Sequence, residues 1–366
     1  HLDKGHIWPR APNPDGRFEA ALDACEADRT ANWTAADVRR RMEFSLRCAE
    51  AHGTRLIRTH LDSKPPQHRI SWPVFAGMRE AWRGRIELQA VALLAIDDLP
   101  EGDALDAYVR HVAEHGGVLG AVTYPMPDLD ARLVRLFDVA ARYGLDLDFH
   151  ADETTDAAAD GLRRIAETHL STGFPGLVTV GHACSLSAQP DAEAMRTLDA
   201  VARAGLSVVS LPLCNLYLQD RVPGRTPRLR GVTLVHEMRA RNIPVAIASD
   251  NARDPFYAYG DLDMLEVFRA ATRILHLDHP FADWPAAVTR TPAAMMGDET
   301  RGRLEVGAPA DLVLFRARSF SELLARSQDD RIVLRDGTVL DRVVPDYREL
   351  DERWAAARSG RTGSDA

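Results

Sequence analysis

The stretch LDLDFHADE, residues 145–153, starts as an alternating apolar run and ends in a histidine and two acids. Six other runs share its texture: RLIRTHLD (55–62), RIELQAVALL (85–94), GVLGAVTY (117–124), LVTVGHAC (177–184), LSVVSLPL (206–213) and IPVAIASD (243–250). All are short and rich in aliphatic or β-branched residues, as buried strands are. Between them lie segments of helical period, among them AADVRRRMEFSLRCAEAHG (35–53), LDARLVRLFDVAARYG (129–144), AEAMRTLDAVARAG (192–205) and LVHEMRARN (234–242). Several of these close on Gly or Asn, the residues that end helices in a left-handed turn. The alternation predicts a parallel sheet with helical crossovers.

Seven strands are one short of a closed barrel, and nothing in residues 1–54 reads as the eighth. The sequence opens on HLDKGHIWPR (1–10), as though inside a motif. A strand ending just before His1 would complete the count. The expected fold is therefore α/β, a (β/α)8 TIM barrel over residues 1–298 whose first strand lies upstream of His1. An open doubly wound sheet is the alternative. From residue 299 the texture changes: RGRLEVGAPADLVLF (301–315) and RIVLRDGTVLD (331–341) read as short strands, with a turn at Asp336-Gly337. A small β-module over 299–345 is expected, then a C-terminal tail over 346–366. Its last stretch, RSGRTGSDA, is polar and expected to be disordered.

A net charge of −9 over 366 residues, without a basic stripe, argues against nucleic acid or an anionic membrane as partner. No apolar stretch approaches the ~18 residues that span a bilayer. Cys25, Cys48, Cys184 and Cys214 are scattered, which points to isolated thiols in a reducing compartment, with the cytoplasm as the expected location.

In a (β/α)8 barrel the chemistry sits at the C-terminal ends of the strands. There this chain places Thr59-His60-Leu61-Asp62, His150-Ala151-Asp152-Glu153, Gly181-His182 and Ser249-Asp250-Asn251. One buried histidine is ordinary; three histidines and a carboxylate at one rim suggest a divalent cation site of the zinc or ferrous type. His150 and Asp250 are the first candidates for ligands, with His1 as a third. Glu153, one step beyond His150, is free to act as acid or base, and His182 to polarise water or stabilise an oxyanion. On pattern alone, Asp250 also suits a helix N-cap and Glu153 the first turn of a helix.

These motifs resemble the amidohydrolase superfamily and, within it, the cytosine deaminase-like group. HLDK resembles the second half of that group's HxHLD motif. FHADE (149–153), GHACSLS (181–187), PLCNLYLQDR (212–221) and ASDNARDPFYAYG (248–260) follow in the group's order, and TRTPAAMMG (289–297) with RLEVGAPADLVLF resembles its return to a small β-sandwich. The resemblance implies one divalent metal ion, Zn2+ or Fe2+, on His1, His150 and Asp250, with a further histidine two positions before His1. It implies Glu153 as proton shuttle to a ring nitrogen and His182 as assistant to a metal-bound hydroxide, and assigns no catalytic role to His60 or Asp62. With no lysine on the relevant strand for a bridging carbamate, one metal is expected. The implied reaction is hydrolytic deamination of an amino-substituted nitrogen heterocycle with loss of ammonia. Related enzymes are often oligomeric, so the resemblance also admits a homo-oligomer.

The sequence departs from the group at the substrate. Ala95 stands near the place of a glutamine that reads the pyrimidine edge in cytosine deaminases, Asn251 replaces an acid, and Phe256 keeps a packing aromatic. Asn251 and Phe256 are the expected substrate contacts, and a heterocycle other than cytosine is favoured. Two rival readings are a hydrolase that releases an alkylamine from an aminotriazine or opens a cyclic amide, and a non-catalytic relative.

Overall fold

The computed structural model describes residues 1–280 and 283–351. Seven strands, β1 (Leu56–Asp62), β2 (Glu87–Leu93), β3 (Val118–Thr123), β4 (Leu147–Ala151), β5 (Val178–His182), β6 (Ser207–Ser210) and β7 (Val245–Ile247), form one sheet in sequence order. Every neighbouring pair is parallel. Helices α1 (Phe18–Asn32) and α2 (Ala35–His52) precede β1, and α3 (His68–Ala81), α4 (Asp103–Glu114), α5 (Leu129–Tyr143), α6 (Gly161–Thr172) and α7 (Asp191–Ala204) are the crossovers. Two shorter helices, α8 (Pro212–Leu218) and α9 (Val235–Ala240), separate β6 from β7, and α10 (Met264–Leu275) and α11 (Arg290–Met295) follow β7.

The sheet is curled. In a flat sheet, β1 and β4 would lie three strand spacings, about 14 Å, apart. Here Arg58 of β1 reaches Asp148 Oδ2 of β4 at 3.1 Å and Thr179 of β5 at 3.3 Å across the interior. Its remaining nitrogens bond Gln89 of β2 and the Met295 carbonyl, so the guanidinium closes the floor of the half-barrel. Outside the sheet, an apolar layer packs Trp72, Phe75, Phe137 and Phe149, all essentially fully buried. The predicted caps are present: Gly144 and Gly205 end α5 and α7 in the left-handed region.

The register sets the strand ends level. Thr123 pairs with Ala151, and Ala151 with His182. Residues 1–8 run along the same rim between the first and last strands. Leu2 N donates to Thr59 Oγ1 (2.9 Å) and Asp62 N to Asp3 Oδ2 (2.9 Å), while His6 N and Trp8 N donate to Ala252 O and Arg253 O.

Two readings of the sequence need correction. The run 206–213 is not strand throughout, because Leu211-Pro212 leaves the sheet and proline opens α8 at its first turn. The run 301–315 is strand only at β8 (Leu312–Leu314), with Leu304 and Val306 exposed on preceding turns. After α12 (Phe320–Ala325), β9 (Ile332–Arg335) and β10 (Thr338–Val339) pair antiparallel with β8 into a three-stranded sheet ordered β10-β9-β8. Arg331 ties this sheet to the α/β body by a buried two-point pair with Asp263 (2.7 and 2.6 Å). Past it, the Tyr347 hydroxyl donates to Asp261 (2.7 Å). The stretch RSGRTGSDA lies outside the described residues.

Candidate active site

The rim residues meet at the floor of one cavity of about 240 Å³. His1 Nε2 lies 3.3 Å from Asp250 Oδ1 and 3.4 Å from His150 Nε2. His182 packs on the other side of His150, ring centroids 4.8 Å apart. Glu153 Oε1 is 3.4 Å from His182 Nδ1. The structure thus brings together His1, His150, Glu153, His182 and Asp250 from four separate parts of the chain.

The backbone turns that aim these groups are unusual. His182 (φ 72°), Asp250 (φ 63°) and Asp152 (φ 54°) lie in the left-handed region, which L-residues with side chains seldom adopt. Such strain concentrates at sites whose geometry is held by the surroundings. Asp152 is fixed by accepting from Gly161 N (2.8 Å) and Leu162 N (2.9 Å) at the start of α6. Glu153 itself lies in the loop before α6, not in its first turn, and Asp250 caps no helix, since Asp263 is the N-cap of the next one.

Asn215 on α8 links two of the groups. Its Nδ2 donates to Glu153 Oε1 (3.2 Å) and to His182 Nδ1 (3.0 Å), which leaves His182 to carry its proton on Nε2. Gln219, one turn on, holds the Glu153 carbonyl at 3.0 Å. Neither residue stood out in the sequence, where PLCNLYLQDR carried only a family likeness; Asn215 lies on α8 and Gln219 at its C-cap.

Electrostatics divides the carboxylates. Burial, then the nearby charge of Asp250, pushes the Glu153 carboxyl well above its ordinary range. Burial also acts on Asp250, but the hydrogen bond from His1 and the field of His182 outweigh it and hold that carboxyl below its ordinary range. Burial lowers His182 to about 4 and keeps His150 neutral, well below the usual imidazole value, helped by its histidine neighbours.

The donors suit a cation. His1 Nδ1, His150 Nδ1 and Asp250 Oδ2 are buried without a hydrogen-bond partner. Two imidazole Nε2 atoms facing at 3.4 Å, beside an ionised carboxylate, repel through their lone pairs unless a proton or metal lies among them. Neutral imidazoles and a carboxylate are the donor set of zinc and ferrous sites. His60, given no role from sequence, joins the cluster: its ring lies 4.6 Å from that of His150 and 5.5 Å from that of His1. Its Nε2 pairs with Asp148 Oδ1 (3.1 Å), which Arg58 also holds.

The cavity is lined by both charged and apolar side chains. Lys4 Nζ pairs with Asp62 Oδ1 (2.7 Å) and lies 5.1 Å above the Phe256 ring, while Arg29 takes the other Asp62 oxygen (3.0 Å). Leu94, Ala95 and Val122 also line the cavity. Asn251 and Phe256 both line the cavity. The Asn251 amide is partly occupied, since its Nδ2 donates to Asp254 Oδ2 at 2.7 Å and its Oδ1 faces the Cys214 thiol at 3.7 Å.

Residues 45–341 match the Amidohydrolase family. A pterin deaminase of Rhizobium rhizogenes is 60% identical over 351 residues, covering 96% of this chain and 80% of that protein. Among solved structures, 5-methylcytosine deaminase from Klebsiella pneumoniae with 5-fluorocytosine superposes with a TM-score of 0.82 at 25% identity, covering 94% of this chain and 85% of that one. N-isopropylammelide isopropylaminohydrolase from Burkholderia multivorans gives 0.72 at 26% identity, over 93% of this chain and 83% of that one. With a family match across most of its length and this degree of identity, the chain belongs to the amidohydrolase family.

Proposed function

We propose that this protein is a hydrolytic deaminase of an amino-substituted nitrogen heterocycle, and that the heterocycle is a pterin. The reaction class rests on the relatives together with the divided carboxylates, Glu153 protonated and Asp250 ionised, over one cavity. The observation that favours a pterin is the 60% identity to a pterin deaminase. The cavity agrees with it: where cytosine deaminases are expected to present a glutamine, Leu94, Ala95 and Val122 offer an apolar wall for a second fused ring.

His1, His150 and Asp250 would hold a single divalent ion, Zn2+ or Fe2+, with His60 beside them. Bound there, the ion supplies the Lewis acidity that lets water ionise near neutral pH. The proton work belongs to the chain. Glu153 gives its proton to the ring nitrogen next to the amino-bearing carbon as water adds to that carbon. Asp250 takes the water's proton, and the His182 Nε2–H donates to the oxygen as it gains charge. The hydroxyl proton then returns to Glu153, Asp250 passes its proton to the amine, the carbon–nitrogen bond breaks and ammonia leaves. Each acid ends as it began.

The wider frame is also a proposal: a (β/α)8 barrel over 1–298 with β1–β7 as seven of its strands, part of a small β-sandwich over 299–345 containing β8–β10, and a tail over 346–366. Four buried, unpaired cysteines support a reducing, cytoplasmic setting. No helix among the described residues is long and apolar enough to cross a membrane.

Ammonia release by the metal-loaded protein, compared across pterin, cytosine, an aminopurine and an N-alkylaminotriazine, tests the reading. Turnover of pterin well above the others is expected; release of an alkylamine from the triazine with no ammonia from any ring would overturn it.

A further inference from the structure

A cavity that holds a polar heterocycle needs a group that reads the ring edge. Where a glutamine is expected in cytosine deaminases this chain has Ala95, bridged to Val122. Asn251 spends its Nδ2 on Asp254 at 2.7 Å. Lys4 is a buried cation on the lining of the same cavity, its side chain only 7% exposed. An ammonium carries three N–H donors and no acceptor. Asp62 Oδ1 takes one at 2.7 Å and is the only side-chain hydrogen-bond partner of Lys4 among the described residues; the Phe256 ring lies 5.1 Å away.

The neighbouring carboxylates are otherwise committed. Asp62 Oδ2 accepts from Arg29 (3.0 Å), and Asp3 Oδ2 accepts from Asp62 N (2.9 Å) and the Ser71 hydroxyl (3.1 Å). Burial alone would discharge Lys4, but the Asp62 charge outweighs it and the ammonium stays protonated. One turn, closed by Gly5 N on His1 O (3.1 Å), carries both His1 and Lys4. The cation therefore keeps a fixed offset from the histidine cluster.

We propose that Lys4 determines specificity by donating a hydrogen bond to a ring carbonyl oxygen of the substrate, which in a pterin is the 4-oxo group. Asp62 positions the ammonium, and Arg29 holds Asp62. A carbonyl accepts from the cation, whereas an amino group or a bare ring carbon in its place leaves the ammonium unpaired. The site thus selects amino heterocycles that also carry an oxo group. The turnover differences rest on the deaminase reading above; the contact itself is read by binding alone.

The test compares pterin with 2-aminopteridine, the same bicycle without the carbonyl oxygen. Both are given to metal-loaded wild type, Lys4→Met and Lys4→Met/Asp62→Asn. The double variant removes the pair together, since methionine alone strands a buried carboxylate. Elemental analysis gives metal content, quenching of pteridine fluorescence gives Kd, and ammonia release gives kcat/KM. The wild type should bind and turn over pterin the better. Both variants should keep their metal and lose roughly 10–100-fold on pterin, the worth of a hydrogen bond to a charged group, with 2-aminopteridine unchanged. Equal losses on the two rings, no loss on pterin, or loss of metal from the variants would overturn the role of Lys4. Discrimination in binding that the variants abolish, with no ammonia from either ring, would keep the Lys4 contact and contradict the deaminase reading. No binding of pterin by the wild type would overturn both.

Discussion

The Glu153 carboxyl stands 3.4 Å from the His182 imidazole, and one amide, Asn215, bonds both. The proposed acid and the proposed oxyanion donor are therefore positioned by a single side chain. Burial keeps one protonated and the other neutral in the same step.

Glu153→Gln keeps the shape and the metal ligands but removes the transferable proton. Turnover is expected to fall by ~10²–10⁴-fold, the usual contribution of a placed acid–base group, while elemental analysis finds the metal content unchanged. Near-normal turnover would remove Glu153 from the mechanism.

Asn215→Leu leaves the two groups in place without their link. Each hydrogen bond between neutral groups is worth about 0.5–1.5 kcal/mol, so losing both should drop kcat by roughly 5–100-fold. The sign in pH is also fixed. Asn215 lowers the Glu153 value, so its removal raises it further. Glu153 must be protonated to act, so the alkaline limb of kcat against pH should shift to higher pH. A uniform loss with no shift would mean that Asn215 only supports the fold.

Asp148→Asn tests the support beneath the metal cluster. His60 takes its orientation from Asp148, and a carboxylate behind a clustered histidine commonly sets metal affinity by ~10–100-fold. Competition with a chromogenic chelator should show weaker binding of that order. Unchanged affinity would make His60 a packing residue.

His6 predicts a pH effect on stability alone. It is buried against Phe44, both ring nitrogens lack partners, and burial followed by the Arg253 charge lowers it to about 3. A depressed histidine favours the fold while neutral, so its contribution is complete above the unfolded value near ~6.5 and is lost as pH falls below it. The limiting loss is about 1.4 kcal/mol per pH unit. His6→Phe should match the wild type in denaturant unfolding at pH ~7.5 and lose stability less steeply towards pH ~5. Parallel curves would contradict this.

Much of the fold was legible because a seven-stranded parallel sheet writes itself as short aliphatic runs. The chemistry was legible where those runs end in His150, Glu153, His182 and Asp250. What escaped depends on curvature. His60 and Arg58 alternate along β1 like any inward-facing pair, and only the curl of the sheet brings them to Asp148, 88 and 90 residues away. Asn215 and Gln219 lay just past a run read as strand up to Leu213, in the stretch PLCNLYLQDR. Proline at position 212 marks the helix, but the apolar neighbours hid it. Asn251 was read as a substrate contact, and nothing local announces that Asp254, three residues on, takes its amide.

The central claim is that water replaces the amino group of a pterin at one carbon, with ammonia as the other product. The most direct measurement supplies pterin and isotopically heavy-oxygen water to the metal-loaded enzyme and identifies both products by mass spectrometry. The account predicts the intact bicycle carrying one heavy oxygen in place of the amino group, with ammonia in equal amount. A ring-opened product, or an intact pterin without the label, would contradict it.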